Sequence, residues 1–231
     1  MLFKNYNLVV NHKKIASLMR KMGIAAIYPK PNTSKGHPEH TIYPYLLRNL
    51  RISHTNQVWS TDITYIPMKK GFLYLVAIID WYSRYIISWE ISNTLNTVFC
   101  IDALNTAFAT GYLPKFFNTD QGSQFTSKDF IKILADKEAI KISMDGKGRA
   151  IDNVYIERFW RTLKYEEVYI NGYSTTKEAI LGIKNYINYY NNKRPHQHLH
   201  YSTPAEIYHK IISPNTSLSF INSQASGRIT S

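Results

Sequence analysis

The chain has 231 residues, 44% of them hydrophobic, enough for one packed domain and a smaller appendage, which argues against wholesale disorder. Twenty-eight lysines and arginines against 16 acids give a net charge of +12 and a pI near 9.6, favouring a phosphate-rich partner. The single cysteine, Cys100, excludes an intrachain disulfide or a cysteine-built zinc site. The longest apolar run, Phe72 to Ile79, is too short to span a bilayer, and no secretory run opens the chain, so a soluble, cytoplasmic protein with no membrane partner is expected.

Residues 11–22 (NHKKIASLMRKM) carry Ile15, Leu18, Met19 and Met22 at i, i+3, i+4, i+7 spacing, predicting an amphipathic helix stopped by Gly23. Lys13, Lys14, Arg20 and Lys21 occupy its other faces. It reads equally as the end of a DNA-binding helical module or as a short packing helix with a solvated basic face. Residues 29–47, with Pro29, Pro31, Gly36, Pro38 and Pro44, read as a linker. Gln57–Met68, Phe72–Asp80 and Arg84–Ile91 then read as strands joined by turns at Lys69-Lys70-Gly71 and Trp81-Tyr82-Ser83. A helix over 96–110, a strand over Lys115–Thr119, a helix over 127–138 and a strand over Ile140–Ser143 follow. Helices over about 152–167 and 175–192 come next, and Thr203-Pro204-Ala205-Glu206 is a capping box that starts another. The expected class is α/β, a mixed five-stranded sheet flanked by helices. The core spans residues 49–211, preceded by a helical segment and linker (1–48) and followed by a polar tail (212–231).

Three acids stand where chemistry is done. Alternation in the first strand turns Trp59, Ile63 and Tyr65 towards the core and puts Ser60, Asp62 and Thr64 together on the polar side. A mid-strand carboxylate is costly to bury unpartnered, so Asp62 is either a hydrogen-bonded strand aspartate or a site residue. Asp120 ends a strand at Gln121-Gly122-Ser123, where mixed sheets build sites and where aspartate also caps turns. In the helix over 152–167, Ile156, Phe159, Trp160 and Leu163 form a buried stripe, with Glu157, Arg161 and Lys164 beside it at the rim. That row is either a solvated ion-pair face or a carboxylate leaning over the sheet while Lys164 reaches a phosphate. Upstream, Asp145-Gly146-Lys147-Gly148-Arg149 is a basic loop placed to touch DNA or simply a surface loop. Carboxylates from three elements of a basic protein suggest a cage for divalent metal facing a polyanion, as phosphoryl transfer on nucleic acid requires. Asp80 reads as structural, pairing with Arg84 at the hairpin, and His196, His198 and His200 read as loop residues rather than ligands.

Several motifs occur in fixed order: N-H-K-K-I-A-S-L-M-R-K-M-G-I, Q-V-W-S-T-D-I-T-Y-I, A-I-I-D-W-Y-S-R, F-N-T-D-Q-G-S-Q-F-T-S, S-M-D-G-K-G-R-A-I-D-N-V-Y-I-E-R-F-W-R-T-L-K-Y-E and Y-N-N-K-R-P-H. On these, from about residue 11 to 208, the chain resembles the catalytic subunit of transposases of the IS3 insertion-sequence family, in the retroviral-integrase superfamily. The resemblance implies a ribonuclease-H-like fold and a DDE transposase that cleaves element ends and transfers strands. Asp62, Asp120 and Glu157 match the catalytic triad, which would hold magnesium or manganese as two ions. Lys164 matches a basic residue implicated in DNA contact, and Arg161, Lys147 and Arg149 are further candidate contacts. Element ends and target DNA are the implied partners, with a homo-multimer to synapse two ends. The sequence ahead of N-H-K-K is shorter than is usual in the family. An upstream-frame partner carrying a helix-turn-helix and coiled coil is therefore expected, and a truncated, catalytically silent DNA-binding product is the alternative reading. Two departures stand out. Thirty-six residues separate Asp120 from Glu157, one more than is usual, the extra one falling within Asp136-Lys137-Glu138-Ala139. His200 replaces the usual glycine after the leucine that follows Arg-Pro-His, which is expected to perturb a turn.

Overall fold

The three-strand meander forms as its patterning predicts: β1 (Val58–Pro67), β2 (Phe72–Asp80) and β3 (Ile86–Ser92) pair antiparallel, with Trp59 opposite Asp80 and Tyr74 opposite Ser92. This is a computed structural model, describing residues 11–22, 41–146 and 153–210. The chain divides into two compact units, Met1–Gly36 and His37–Ser231. In the first, α1 (His12–Lys21) is the expected amphipathic helix, its Asn11 side chain accepting a 2.9 Å hydrogen bond from the Lys13 amide.

In the second unit, α2 (Val98–Phe108) carries the chain back across the sheet to β4 (Phe116–Thr119), and α3 (Lys128–Ala135) leads to β5 (Lys141–Met144). Both short strands add in parallel, giving the order β3-β2-β1-β4-β5 with β1 central. The Asp136–Ala139 stretch forms the turn between α3 and β5, outside both elements, where one added residue leaves neither register disturbed. Helix α4 (Val154–Leu163) runs on into a π-helical turn (Lys164–Val168) and a single turn, α5 (Tyr169–Asn171). Helix α6 (Thr176–Asn192) opens with a Thr175/Glu178 capping box, and α7 (Pro204–Tyr208) with the expected Thr203/Glu206 box.

The sheet is covered on both faces, which corrects the side assignment made for β1. Val58 and Ile66 pack with Ile156, Phe159 and Leu163 of α4 and Ile183 and Ile187 of α6. Trp59 packs with Phe99 and Leu104 of α2 and Phe130 and Leu134 of α3. The row Ser60, Asp62, Thr64 therefore lies beneath helices rather than on a polar surface, and Ser60 and Thr64 are buried. Tyr65, expected inside, is 53% exposed and instead packs edge-on against Phe72 and tilted against Tyr74. Cys100 is buried in the α2 layer.

Two further segments depart from their sequence readings. Residues 41–47, read as linker, lie along β5: the Tyr43 amide reaches Met144 Sδ (3.4 Å), the Leu46 amide donates to Ser143 Oγ (3.0 Å), and Leu47 is buried. Side-chain acceptors on the edge strand take the N–H groups of a proline-containing stretch that makes no ladder. At the β2–β3 hairpin, Asp80 and Arg84 act on one another through their charges, and the Arg84 amide donates to the Asp80 carbonyl at 2.9 Å. The Arg84 side chain is not the hydrogen-bond partner of the Asp80 carboxylate. That carboxylate accepts from the Asn56 and Ser83 amides (both 2.8 Å) and the Ser83 hydroxyl (2.7 Å), while the Arg84 guanidinium lies over the Tyr155 ring at 3.6 Å.

Candidate active site

The register of the parallel strands brings the two aspartates together. Ser60 of β1 pairs with Asn118 of β4, and Asp62 and Asp120 each lie two residues further along strands running the same way. Both side chains thus emerge on one face, at the carboxyl end of β4, where open mixed sheets build sites. Pairing between β1 and β4 ends at Ser60–Asn118, and α4 packs on the same face of the sheet.

Asp62 is partly buried, and its Oδ2 accepts a 2.9 Å hydrogen bond from Trp160 Nε1 of α4. Burial raises its pKa to about 6, the Trp160 hydrogen bond opposes the rise, and the charges of Asp120 and, more weakly, Glu157 add to it. Asp120 is exposed as a residue, but its carboxyl turns back on the chain, with Oδ1 accepting from the Gly122 amide at 2.9 Å. Loss of solvent around that carboxyl raises its pKa against the Gly122 hydrogen bond. A Cβ on Gly122 would sit 2.9 Å from Asp120 Oδ1, so glycine is what lets the turn close on the carboxylate.

Glu157 is exposed at the rim of α4, close enough to Asp62 for its charge to be felt there. Lys164 is half-buried two turns on; burial lowers its pKa and the Asp62 charge works against that. Asp62, Asp120, Glu157 and Lys164 therefore share one electrostatic neighbourhood. Arg161 is exposed on the same helix, and Lys147 and Arg149 lie outside the described residues. Among the described residues neither aspartate has an ion-pair partner, and no three carboxylate, imidazole or thiol groups stand close enough to enclose an ion. His196 stands edge-on to Tyr190 at 4.7 Å, and His200 occupies the left-handed region with φ +53°.

Two residues escaped the sequence reading. Trp160 looked like plain core, yet it is the hydrogen-bond donor to Asp62; its signal was that a buried indole N–H must find an acceptor. Asp145 looked like the start of a surface loop. It is buried, accepts from Asn118 Nδ2 at 2.7 Å, and follows Ser143, the β5 partner of Asn118, by two residues. Asp62, Asp120 and Asp145 each thus follow by two residues the paired row Ser60, Asn118 and Ser143 of three adjacent strands.

The donors available are all carboxylate oxygens, suited to a hard divalent cation. Among the described side chains no cation forms an ion pair with either aspartate, Lys164 acting on Asp62 only through its charge. Two acids pushed towards protonation by burial, one of them also by the other's charge, form a site that bound positive charge would relieve.

The integrase core domain family matches residues 53–150, and a second family with the same description matches residues 138–204. The transposase for insertion sequence element IS904 of Lactococcus lactis is 33% identical, covering 87% of this chain and 82% of that protein. The putative transposase InsK for insertion sequence element IS150 of Escherichia coli is 31% identical, covering 89% and 74%. Among solved structures, the simian T-cell lymphotropic virus intasome in complex with PP2A regulatory subunit B56 gamma aligns with a TM-score of 0.60 at 20% identity, covering 87% of this chain and 74% of that one. The dimeric HTLV-2 integrase catalytic core domain in complex with magnesium aligns with a TM-score of 0.52 at 20% identity, covering 69% and 99%. The fold is that of the integrase catalytic cores, ribonuclease-H-like. Among the described residues no helix is long and apolar enough to cross a membrane.

Proposed function

Because the chain belongs to the IS3-type insertion-sequence transposases with an integrase core domain, we propose that Asp62, Asp120 and Glu157 are the three carboxylates through which it acts on DNA. Its reaction class is that of a DDE polynucleotidyl transferase in insertion-sequence transposition. The observation that supports the assignment is that Asp62 and Asp120 each lie two residues beyond the last β1–β4 pair, Ser60–Asn118, close enough for the Asp120 charge to act on Asp62, with the Glu157 helix hydrogen-bonded to Asp62.

Divalent-metal dependence follows from the family, and magnesium or manganese, bound as two ions, would supply Lewis-acid charge at the attacking and leaving oxygens of an in-line displacement. Asp62 and Asp120 are the inner donors, held by Trp160 and Gly122 respectively. Glu157, whose exposed side chain can turn inwards from the rim, completes the set. Lys164 offers its ammonium to a phosphate beside Asp62, Arg161 is exposed on the same helix, and Lys147 and Arg149, outside the described residues, are further candidate DNA contacts by sequence. Attack of water on the phosphodiester at an element end frees a 3′-hydroxyl. That hydroxyl then displaces the 3′-oxygen of a target phosphodiester, so each step makes one P–O bond and breaks one, with no covalent enzyme–DNA link.

The multimeric state of the intasome and of the dimeric and trimeric integrase cores extends to this chain as a homo-multimer that synapses two element ends. An upstream-frame helix-turn-helix product is a further partner. The experiment is joining of a labelled duplex bearing the element's terminal sequence into target DNA with manganese, comparing wild type, Asp62→Asn, Asp120→Asn and Glu157→Gln. Joined products lost in all three variants, with DNA binding retained, are expected. Joining at the wild-type rate in the three variants would sink the assignment. Binding without joining by the wild type would favour a silent DNA-binding product, or a chain that needs the upstream partner.

A further inference from the structure

Helix α4 is fastened to the central strand at two levels. Near its start the Asn153 side-chain amide donates to the Thr61 carbonyl at 3.2 Å, and two turns later Trp160 Nε1 donates to Asp62 Oδ2 at 2.9 Å. Asn153 and Trp160 are each only 6% exposed, so both donors come from the buried side of the helix. Asn153 is tied to backbone, which holds the helix but leaves the carboxylate of its neighbour alone. Trp160 is different: it binds the functional group itself, and it does so from the helix turn that follows Glu157. The ring cannot swing away, because it is packed between Phe159 (centroids 5.1 Å apart) and the α4–α6 core.

We propose that Trp160 is a positioning residue: its indole N–H fixes the plane of the Asp62 carboxylate, so that Asp62 and Glu157 are set relative to one another by a single rigid helix turn. The proposal rests on Asp62 being a metal ligand. A carboxylate with one oxygen held at a defined point presents its remaining lone pairs in fixed directions. One without that bond rotates about χ2 and must be ordered again each time a cation enters. The bond also couples two parts of the site that the chain keeps far apart, since Trp160 and Asp62 are 98 residues distant in sequence. Anything that lifts α4 from the sheet then disorders Asp62 and removes Glu157 together.

The test measures manganese binding directly, from the paramagnetic signal of free Mn2+, on the whole chain without DNA. Trp160→Phe removes the donor and keeps an aromatic ring. Replacement of Trp160 by its benzothiophene analogue keeps the full bicyclic shape and deletes only the N–H, so it decides the matter if the phenylalanine variant packs poorly. Asp62→Asn is measured alongside. Manganese affinity about 10-fold weaker in the benzothiophene variant, with an unchanged thermal midpoint, is the expected result. A purely structural role would lower the midpoint of Trp160→Phe and leave affinity in the analogue as in wild type, and that result overturns the proposal while Asp62→Asn still loses binding. Wild-type binding by Asp62→Asn would overturn the metal assignment of Asp62, and the inference with it.

Discussion

The side-chain amide of Asn191 clasps both backbone groups of Ile86: Oδ1 accepts from the Ile86 N–H and Nδ2 donates to the Ile86 carbonyl, each at 2.9 Å. Ile86 opens the edge strand β3, and Asn191 lies near the end of α6, so one side chain substitutes for a strand partner and ties α6 to the sheet. This gives the Y-N-N-K-R-P-H motif a structural role that the chemistry does not supply. In the same stretch Arg194 Nε donates to Glu166 Oε2 at 2.9 Å and Arg194 Nη2 to Glu166 Oε1 at 2.6 Å. Asn191→Ala would strand a buried N–H and a buried C=O, and a loss of about 2–3 kcal/mol in urea-unfolding stability is expected. A loss below about 0.5 kcal/mol would mean that water replaces the clasp.

The glycine that the resemblance leads one to expect at residue 200 is a histidine with φ +53° and ψ +40°, the left-handed region where a Cβ crowds the carbonyl. Tyr201 follows at φ +64°. His200→Gly relieves that crowding and gives back part of it as unfolded-chain entropy, so a net stabilisation of about 0.5–1 kcal/mol is expected in thermal or denaturant unfolding. A destabilised variant would show that contacts of the His200 side chain outweigh the strain.

Asp62 titrates near 6 in the folded chain against an ordinary value of 3.8. A raised carboxylate pKa means that folding favours the protonated form. Its stabilising contribution is full below about pH 3.8 and is lost as pH rises through about 6. Asp62→Asn, neutral at every pH, should therefore be more stable than wild type by about 1–2 kcal/mol at pH 8 in chelator, a gap that closes towards pH 4. Magnesium should then raise the wild-type midpoint and leave the variant unmoved, since only the wild type gains a ligand on folding. A gap independent of pH would contradict a burial-driven rise in the Asp62 pKa.

Gly122→Ala sets a methyl group 2.9 Å from Asp120 Oδ1, so either the turn or the carboxylate must shift. The Gly122 carbonyl is held by the amides of buried Phe125 and Thr126 (both 3.0 Å). The Asp120 carboxylate is therefore the movable partner and is expected to shift rather than the turn. Displacement of the reacting geometry by about 1 Å is worth about 100-fold in rate, and a fall of that order in strand joining is expected. Wild-type joining rates would show that the Asp120 carboxylate adapts freely.

Strand β2 was legible residue for residue, Phe72–Asp80 in both readings, because a near-continuous apolar run has one stable home, a strand covered on both faces. Most other elements agree to within one to three residues at each end, the inner limits being set by caps such as Ser127, whose side chain accepts from the Phe130 amide at the start of α3. Strand β1 was misjudged in one respect. Alternation separates Ser60, Asp62 and Thr64 from Trp59 and Ile63, but it does not tell whether the polar row meets water or a helix. The linker reading of 41–47 failed for a related reason, since prolines mark irregular backbone without telling what it packs against.

By itself the sequence determined the order of elements, the family, and the identity of the three candidate carboxylates. Each of those is written in short windows, as periodicity, turn residues or motif. What only the tertiary structure decided is who stands beside whom: Asp62, Asp120 and Asp145 each two residues beyond one paired row, Trp160 hydrogen-bonded to Asp62, Lys164 near enough to feel the Asp62 charge. Those relations follow from the parallel register of β1, β4 and β5 and from the seating of α4 on the sheet. Both are settled by the simultaneous burial of two apolar faces, which no local stretch of chain encodes.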